Sequence, residues 1–458
     1  MNCPDNARGK EILLNAFNMN CVGHIHHGMW THPDDRSVEF NSLNYWLELA
    51  KTLEKGLFDG LFIADIIGVY DVYQQGIALT ASEAIQLPVN DPLMLVSGMA
   101  AVTEHLGFGV TANLSYETPY AFARRFSTLD HLTQGRIGWN IVTGYLDSAA
   151  RAMGQRELTG HDRRYDQADE FLDVCYQLWE GSWEEQAVLA DREQRVYADA
   201  ARIHPVRHHG EFYQLDGYHL SQPSPQRTPL LFQAGSSARG LRFAARHAEC
   251  TFVSGSTPQA MRAQSDRLRL AAIEAGREAD DVKIFMGISV IVAPTEKEAQ
   301  EKYREYLRYA SPEAGIAHFS SSIGVDLASF DLDEPIGGGP TRAIESVSKT
   351  YAGWTRRRLL EQHALGGRYT VIVGNPSQVA NELIRWVDEA GIDGFNLTRI
   401  LNPQSYLDFI ELVVPELQQR GRYKTAYRPG PLRQKLFGHA RLPQRHPAAD
   451  RRFSSLQG

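Results

Sequence analysis

Cysteine is scarce in this chain. Its 458 residues hold four, Cys3, Cys21, Cys175 and Cys250, far apart and with no CxxC pair. That argues against a disulfide framework and against a zinc ribbon, and points to a reducing compartment such as the cytoplasm. Long apolar runs are also missing: none approaches the roughly 20 residues needed to span a bilayer. The opening MNCPDNARGK has no apolar core of the kind a secretory signal needs. Basic charge is not in excess. The formal net charge is −8, and no dominant Lys/Arg block exists, so nucleic acid and anionic membranes are not expected partners. The one Arg-rich stretch, residues 422–452, is expected to be a solvated surface tail. No GxGxxG or GxxxxGK[ST] motif stands between a strand and a helix, which argues against dinucleotide and nucleoside-triphosphate binding. Internal repeats and low-complexity tracts are absent as well.

What remains is an alternation of short β-rich runs with longer helical patterns, the signature of a parallel sheet with crossover helices. Strands are predicted over residues 12–19, 60–65, 106–114, 136–143, 229–235, 250–254, 283–292 and 393–398. Most are apolar on both faces, as strands packed between a filled interior and a helix layer must be. Eight of them make an α/β fold, a (β/α)8 TIM barrel. Helices are predicted over 44–55, closed by Gly56, and over 119–132 and 165–180. The whole chain is expected to form one domain. Its long insertions, at about 181–228 and 293–391, belong at the C-terminal face of the strands as lids or oligomer contacts, and a tail runs from about 420 to 458.

In such a barrel, residues just past the strand C-termini face the active site. Strand one runs into Asn18-Met19-Asn20-Cys21-Val22-Gly23-His24-Ile25-His26-His27, and strand two into Asp65, Tyr70 and Tyr73. Strand three ends at Thr111 and Asn113, and strand four leads through Asn140 and Thr143 to Tyr145. The segment Gln233–Gly240 passes from strand through Gly-Ser-Ser into a helix. Backbone N–H groups, two hydroxyls and a helix N-terminus converge there, a combination suited to phosphate, although an ordinary N-capping serine has the same signature. The histidines at 24, 26 and 27 are a pocket lining rather than a metal site, because no carboxylate pattern beyond Asp65 accompanies them. Cys21 is either a nucleophile or a buried structural thiol; Asp65 is either a general base or an anchor for a ligand's N–H and hydroxyl groups.

Several stretches together carry a resemblance: NMNCVGHIHHGMW, FDGLFIADIIGVYDVY, QLPVNDP, STLDHLTQGRIGWNIVTGYLDSAARAMG, HDRRYDQADEF, PSPQRTPLLFQAGSSARG and AGIDGFNL. From about residue 10 to 437 the chain resembles the bacterial luciferase-like superfamily, in its nitrilotriacetate and dimethyl-sulfide monooxygenase branch. Long-chain alkane and dibenzothiophene-sulfone monooxygenases share that branch. The resemblance implies a two-component flavin-dependent monooxygenase. Its FMN is reduced elsewhere by an NAD(P)H:flavin reductase, and O2 adds to the bound reduced flavin to form a peroxyflavin that oxygenates a small organic substrate. It also implies that Asp65, Thr111, Tyr145, Tyr165, Ser236 and Ser237 contact FMN, with the two serines on the phosphate. Cys21, His24, Tyr70, Gln86 and His318 are implied around substrate and flavin, His318 coming from the long insertion. A homo-oligomer, dimer or tetramer, is implied too. Alkane-oxidising members have histidine where this sequence has Tyr145, whereas members acting on dimethyl sulfide or aminopolycarboxylates have tyrosine. With no Arg/Lys cluster at the strand ends, an organosulfur or heterocyclic substrate is favoured over a polyanion. The alternatives are an F420-dependent dehydrogenase on the same barrel, a metal-dependent barrel hydrolase, and a non-catalytic flavin-binding protein.

Overall fold

Every predicted barrel strand is present, shortened by no more than three residues. A computed structural model describes residues 9–235, 237–336, 353–365, 367 and 369–453. In chain order the strands are β1 (Leu13–Met19), β2 (Gly60–Ala64), β3 (Gly107–Asn113), β4 (Ile137–Val142), β5 (Val188–Asp191), β6 (Val196–Ala198), β7 (Val206–His209), β8 (Gln214–Gly217), β9 (Leu230–Gln233), β10 (Cys250–Val253), β11 (Lys283–Val292), β12 (Thr370–Gly374) and β13 (Gly394–Thr398). Eight of these pair in parallel around a closed ring, β1-β2-β3-β4-β9-β10-β11-β13 and back to β1. The (β/α)8 barrel is therefore the fold. β11 is long enough to serve two neighbours: Phe285–Ser289 pairs with β13, and Ile288–Val292 continues outward to pair with β12.

Strand parity decides what fills the ring. Phe17, Phe62, Phe232, Phe252 and Phe285 meet in the interior, with Phe62 and Phe252 centroids 4.4 Å apart and Phe232 stacked on Phe252 at 5.8 Å. Five phenyl rings need room, and glycines on the neighbouring strands supply it. A Cβ at Gly138 would lie 2.6 Å from the Phe232 ring, and one at Gly109 2.8 Å from Phe62. Above this aromatic plug, toward the strand C-termini, the inward positions turn polar: Thr111, Asn140, Ser289 and Thr398, all buried. The outward residues pack against helices instead; Trp139, for instance, lies against Phe122 and Phe171.

The helices follow the apolar periodicity closely. Leu43–Lys55 stops at Gly56, and Pro119–Leu132 has the predicted ends. The third begins a turn earlier than the pattern predicts, at His161, and runs to Tyr176 before a π-helical turn over Gln177–Gly181. Its first turn, His161–Arg164, carries no apolar residue, so periodicity could not reveal it.

The Arg-rich tail departs from its predicted solvated character. It crosses the N-terminal end of the barrel, where Leu432 joins the interior cluster with Phe17 and Leu230. Arg433 is fully buried, bound to both carboxylate oxygens of Glu249 (2.6 and 3.0 Å) and to the carbonyls of Thr228, Pro229 and Ala440. Arg445 pairs with Asp281 and Arg452 with Glu180. A guanidinium has five donors, and a carbonyl cage with a carboxylate satisfies them without water.

At the opposite end, a second apolar cluster roofs the barrel. It draws Tyr70, Tyr73 and Ile85 from the β2 loop, Leu146 and Ala149 from the β4 loop, and Ile316, Phe319 and Ile323 from the helix Pro312–Ile323. The residues between 181 and 228 form two small antiparallel hairpins, β5-β6 and β7-β8.

Candidate active site

The segment after β1 is fixed from two sides. Isolated bridges tie Cys21 to Val89 and Gly23 to Ile85, and Gln86 N–H donates to the Gly23 carbonyl at 3.1 Å. Gly23 has to be glycine for this approach, since a Cβ would stand 2.2 Å from the Ala84 carbonyl oxygen. From beneath, Arg399 at the end of β13 donates to Asn18 Oδ1 at 2.8 Å and to the Val22 carbonyl at 2.9 Å. Gln86 and Cys21 are thereby held on one rim. Cys21 Sγ donates to the Gly23 carbonyl at 3.1 Å, and burial pushes its thiol up to about 12, against the opposing pull of Arg399. It is a protonated thiol at neutral pH; no activated nucleophile sits here.

The three histidines diverge. His24 packs edge-on against Phe17 with centroids 4.7 Å apart, and its Nδ1 has no hydrogen-bond partner among the described residues. His26 pairs with Ser289 of β11 at 2.9 Å. His27 Nε2 meets His318 Nδ1 at 3.1 Å. Burial holds His24 well below the usual range, His26 at about 3 and His27 at about 4, so all three are neutral. Among the described residues no group of three or more His, Cys, Asp or Glu side chains could hold a metal ion.

Tyr70 is the hub of the roof. Its hydroxyl donates to Gln86 Oε1 at 2.8 Å and shares a hydrogen bond with the Tyr145 hydroxyl at 2.9 Å, while its ring lies 4.6 Å from that of His318. Four predicted residues from the β2 loop, the β4 loop and an insertion helix thus form one contiguous wall: Tyr70, Gln86, Tyr145 and His318.

The remaining predicted residues line the strand ends across the barrel mouth. Asp65 follows β2, and burial raises its carboxyl from 3.8 to about 7, helped by Asp91 and opposed by the Ile66 backbone N–H. Thr111 and Asn140 sit opposite each other in register, and Asn140 Nδ2 donates to Thr111 Oγ1 at 2.8 Å. That leaves Asn140 Oδ1 buried with no partner among the described residues, and Gln233 Oε1 is in the same condition. Gln233 Nε2 reaches the Tyr165 hydroxyl at 3.4 Å. Ser237 caps the helix Ala238–His247, accepting from Gly240 N–H at 3.0 Å, and also meets His161 Nε2 at 3.3 Å. Two helix N-termini, those of His161–Tyr176 and Ala238–His247, therefore converge beside Gly235. A Cβ on Gly235 would lie 2.3 Å from Gln233 Nε2 and 2.5 Å from the Tyr165 hydroxyl. Ser236, also predicted here, lies outside the described residues.

Asn140, Gln233 and His27 stand in strand-end segments that the sequence brings forward, without a role for each. Arg399 and His161 were not singled out: Arg399 carried a usable signal in following β13 directly, whereas His161 lies in an apolar-free helix turn.

The arrangement is a deep polar floor with spare acceptors, two helix N-termini on one flank, and an apolar roof bearing phenol, amide and imidazole groups. Comparison with known proteins places the chain. The luciferase-like monooxygenase family matches residues 20–394. The chain is 48% identical to the long-chain alkane monooxygenase of Geobacillus thermodenitrificans (strain NG80-2) over 96% of its length and 98% of that protein. It is 46% identical to the dimethyl-sulfide monooxygenase of Hyphomicrobium sulfonivorans, covering 97% and 94% respectively. Among solved structures, a riboflavin lyase with modified FMN and substrate riboflavin superposes with a TM-score of 0.93 at 37% identity, covering 97% of this chain and 100% of that one. The chain belongs to the luciferase-like monooxygenase family.

Proposed function

We propose that the chain is the oxygenating component of a two-component system, using reduced FMN and O2 to insert one oxygen atom into a small neutral organic molecule. The observation that carries this reading is the floor of the barrel mouth. Buried acceptors on Asn140 and Gln233 that lack partners among the described residues, together with Asp65, match the N–H groups at the edge of a flat heterocycle. The paired helix N-termini at Ser237 suit a terminal phosphate. FMN has both features, so the residues fit it. When bound, reduced FMN supplies the two electrons that split O2, one oxygen atom entering the substrate and the other leaving as water.

The chain's own groups then have separable tasks. Ser237, with Ser236, holds the phosphate, Tyr165 packs beside it, and Asp65 and Thr111 fix the ring edge. Tyr70, Gln86, Tyr145, His24, Cys21 and His318 line the substrate side. The neutral imidazoles and the tyrosine hydroxyls donate hydrogen bonds without flooding the site with mobile protons, and the apolar roof excludes water. That roof favours a sulfide, sulfone or heterocycle over a polyanion, and its Arg356 is already engaged by Glu313 and Tyr73. Because no dinucleotide motif is present, reduction of the flavin falls to a separate NAD(P)H:flavin reductase, with reduced FMN passing by diffusion. A dimer or tetramer in the cytoplasm completes the proposal.

The test is an anaerobic titration with reduced FMN and reduced riboflavin. Ser237→Gly keeps the helix cap within a few tenths of a kcal/mol but removes a hydroxyl whose bond to a charged group is worth about 1.5–3 kcal/mol. FMN affinity should fall about tenfold or more while riboflavin affinity holds. Equal binding of the two flavins by the unaltered protein would contradict the phosphate assignment, and a preference for F420 would move the chain to the dehydrogenases.

A further inference from the structure

The segment His27–Gly28 touches the roof helix at two levels. Its backbone is the docking site: the His27 carbonyl accepts from Ser311 N–H at 2.9 Å, at the cap of the helix Pro312–Ile323. Gly28, at φ +87°, allows this approach, because a Cβ there would lie 2.4 Å from the Tyr309 carbonyl oxygen and 2.6 Å from Ser311 N. About two turns further along that helix is His318, and the His27 side chain meets it, Nε2 to Nδ1 at 3.1 Å with the rings edge-to-face. Both imidazoles line a cleft together with Ile25, Gly315, Phe319 and Ser322.

The proton positions follow from the second nitrogen of His27. Its Nδ1 is buried with no partner among the described residues. A neutral imidazole carries one proton. Placing it on Nδ1 would bury an N–H without an acceptor, the costlier omission, whereas placing it on Nε2 leaves only an unused lone pair. His27 is therefore the donor in the pair and His318 Nδ1 the acceptor, which leaves the His318 proton on Nε2. We infer that His27 is a positioning residue: by donating from Nε2 it locks His318 in the Nε2–H tautomer, so that His318 serves the site as a hydrogen-bond donor and not as a base. The consequence for chemistry rests on His318 facing the substrate as proposed above; the tautomer itself does not depend on flavin.

The experiment is nitrogen NMR on flavin-free, ¹⁵N-histidine-labelled protein, with His318 assigned by its loss in His318→Gln. The expected spectrum shows a pyridine-type Nδ1 and a pyrrole-type Nε2 at His318. His27→Leu should convert this to a mixture of tautomers, and His27→Gln, whose amide N–H can take the place of the imidazole Nε2–H, should restore the single form. A pyrrole-type Nδ1 at His318 in the unaltered protein would overturn the inference even if no variant folds. An unchanged His318 spectrum in folded His27→Leu would overturn it equally. Either result leaves the flavin-binding proposal untouched, since no flavin is present.

Discussion

Replacing Asp65 by asparagine isolates the cost of holding a carboxylate ready for a ligand. The side chain sits after β2 with one backbone N–H, that of Ile66, as its stabilising partner, and with Asp91 adding repulsion. Burial therefore raises its carboxyl from the ordinary 3.8 to about 7 in the folded protein. The folded protein holds this proton more tightly than the unfolded chain, so its stability falls as pH rises from about 4 to about 7 and then levels off. At 1.36 kcal/mol per unit, the full shift is a ceiling of about 4 kcal/mol, and relaxation with water entry reduces the measurable part to roughly 1–2 kcal/mol. Asparagine has the same shape and retains an acceptor for Ile66, but carries no charge. Denaturation midpoints of Asp65→Asn and the unaltered protein should coincide near pH 4 and separate in favour of the variant by pH 8. The same variant should bind reduced FMN at least tenfold more weakly, because a charged acceptor is lost to the ring N–H. Ligand binding to the unaltered protein near pH 7 should also release protons, seen calorimetrically as a dependence on buffer ionisation enthalpy. A stability difference that does not change with pH, or a variant less stable at pH 8, would refute the argument that Asp65 is strained by burial.

Other consequences are equally direct. Arg433→Met strands the buried Glu249 carboxylate and should cost about 3–5 kcal/mol in chemical denaturation, whereas truncation of an exposed tail would cost almost nothing. Gly235→Ala drives a methyl group into Gln233 and Tyr165, and should weaken reduced-FMN binding at least tenfold with little change in melting temperature. Cys21, its thiol pushed to about 12, should resist iodoacetamide at pH 8, where roughly one part in ten thousand is thiolate; labelling at the rate of a free thiol, read by mass spectrometry, would contradict its burial.

The barrel was legible because each of its strands is an apolar run bounded by turn residues, and because parity and length are local properties. The hairpins β5-β6 and β7-β8 were not, being short and only half-buried; β12, Thr370–Gly374, does have a β-branched strand pattern, but it stands outside the eight-strand ring, paired to the outer part of β11. The tail misled for a different reason. Arginines normally face solvent, and only the three-dimensional convergence of Glu249 with several carbonyls makes a buried Arg433 tolerable. At the site, Asp65, Thr111 and Tyr145 could be picked out by position after a strand. Gln86 and His318 could not, since neither follows a barrel strand; the family resemblance alone pointed to them, and the structure brings both to Tyr70. The unpartnered oxygens of Asn140 and Gln233, which carry the cofactor proposal, are visible only once every neighbour is in place.

The most direct test of the account is to form the complex of purified protein with reduced FMN under anaerobic conditions, mix it rapidly with oxygenated buffer, and follow oxygen consumption and oxidised-flavin absorbance together. Oxygen should disappear before oxidised FMN returns, the interval reflecting a site that shields bound flavin from water. Failure to bind reduced FMN, or simultaneous oxygen loss and flavin reappearance at the rate of free flavin with and without candidate sulfides, sulfones and heterocycles, would contradict it.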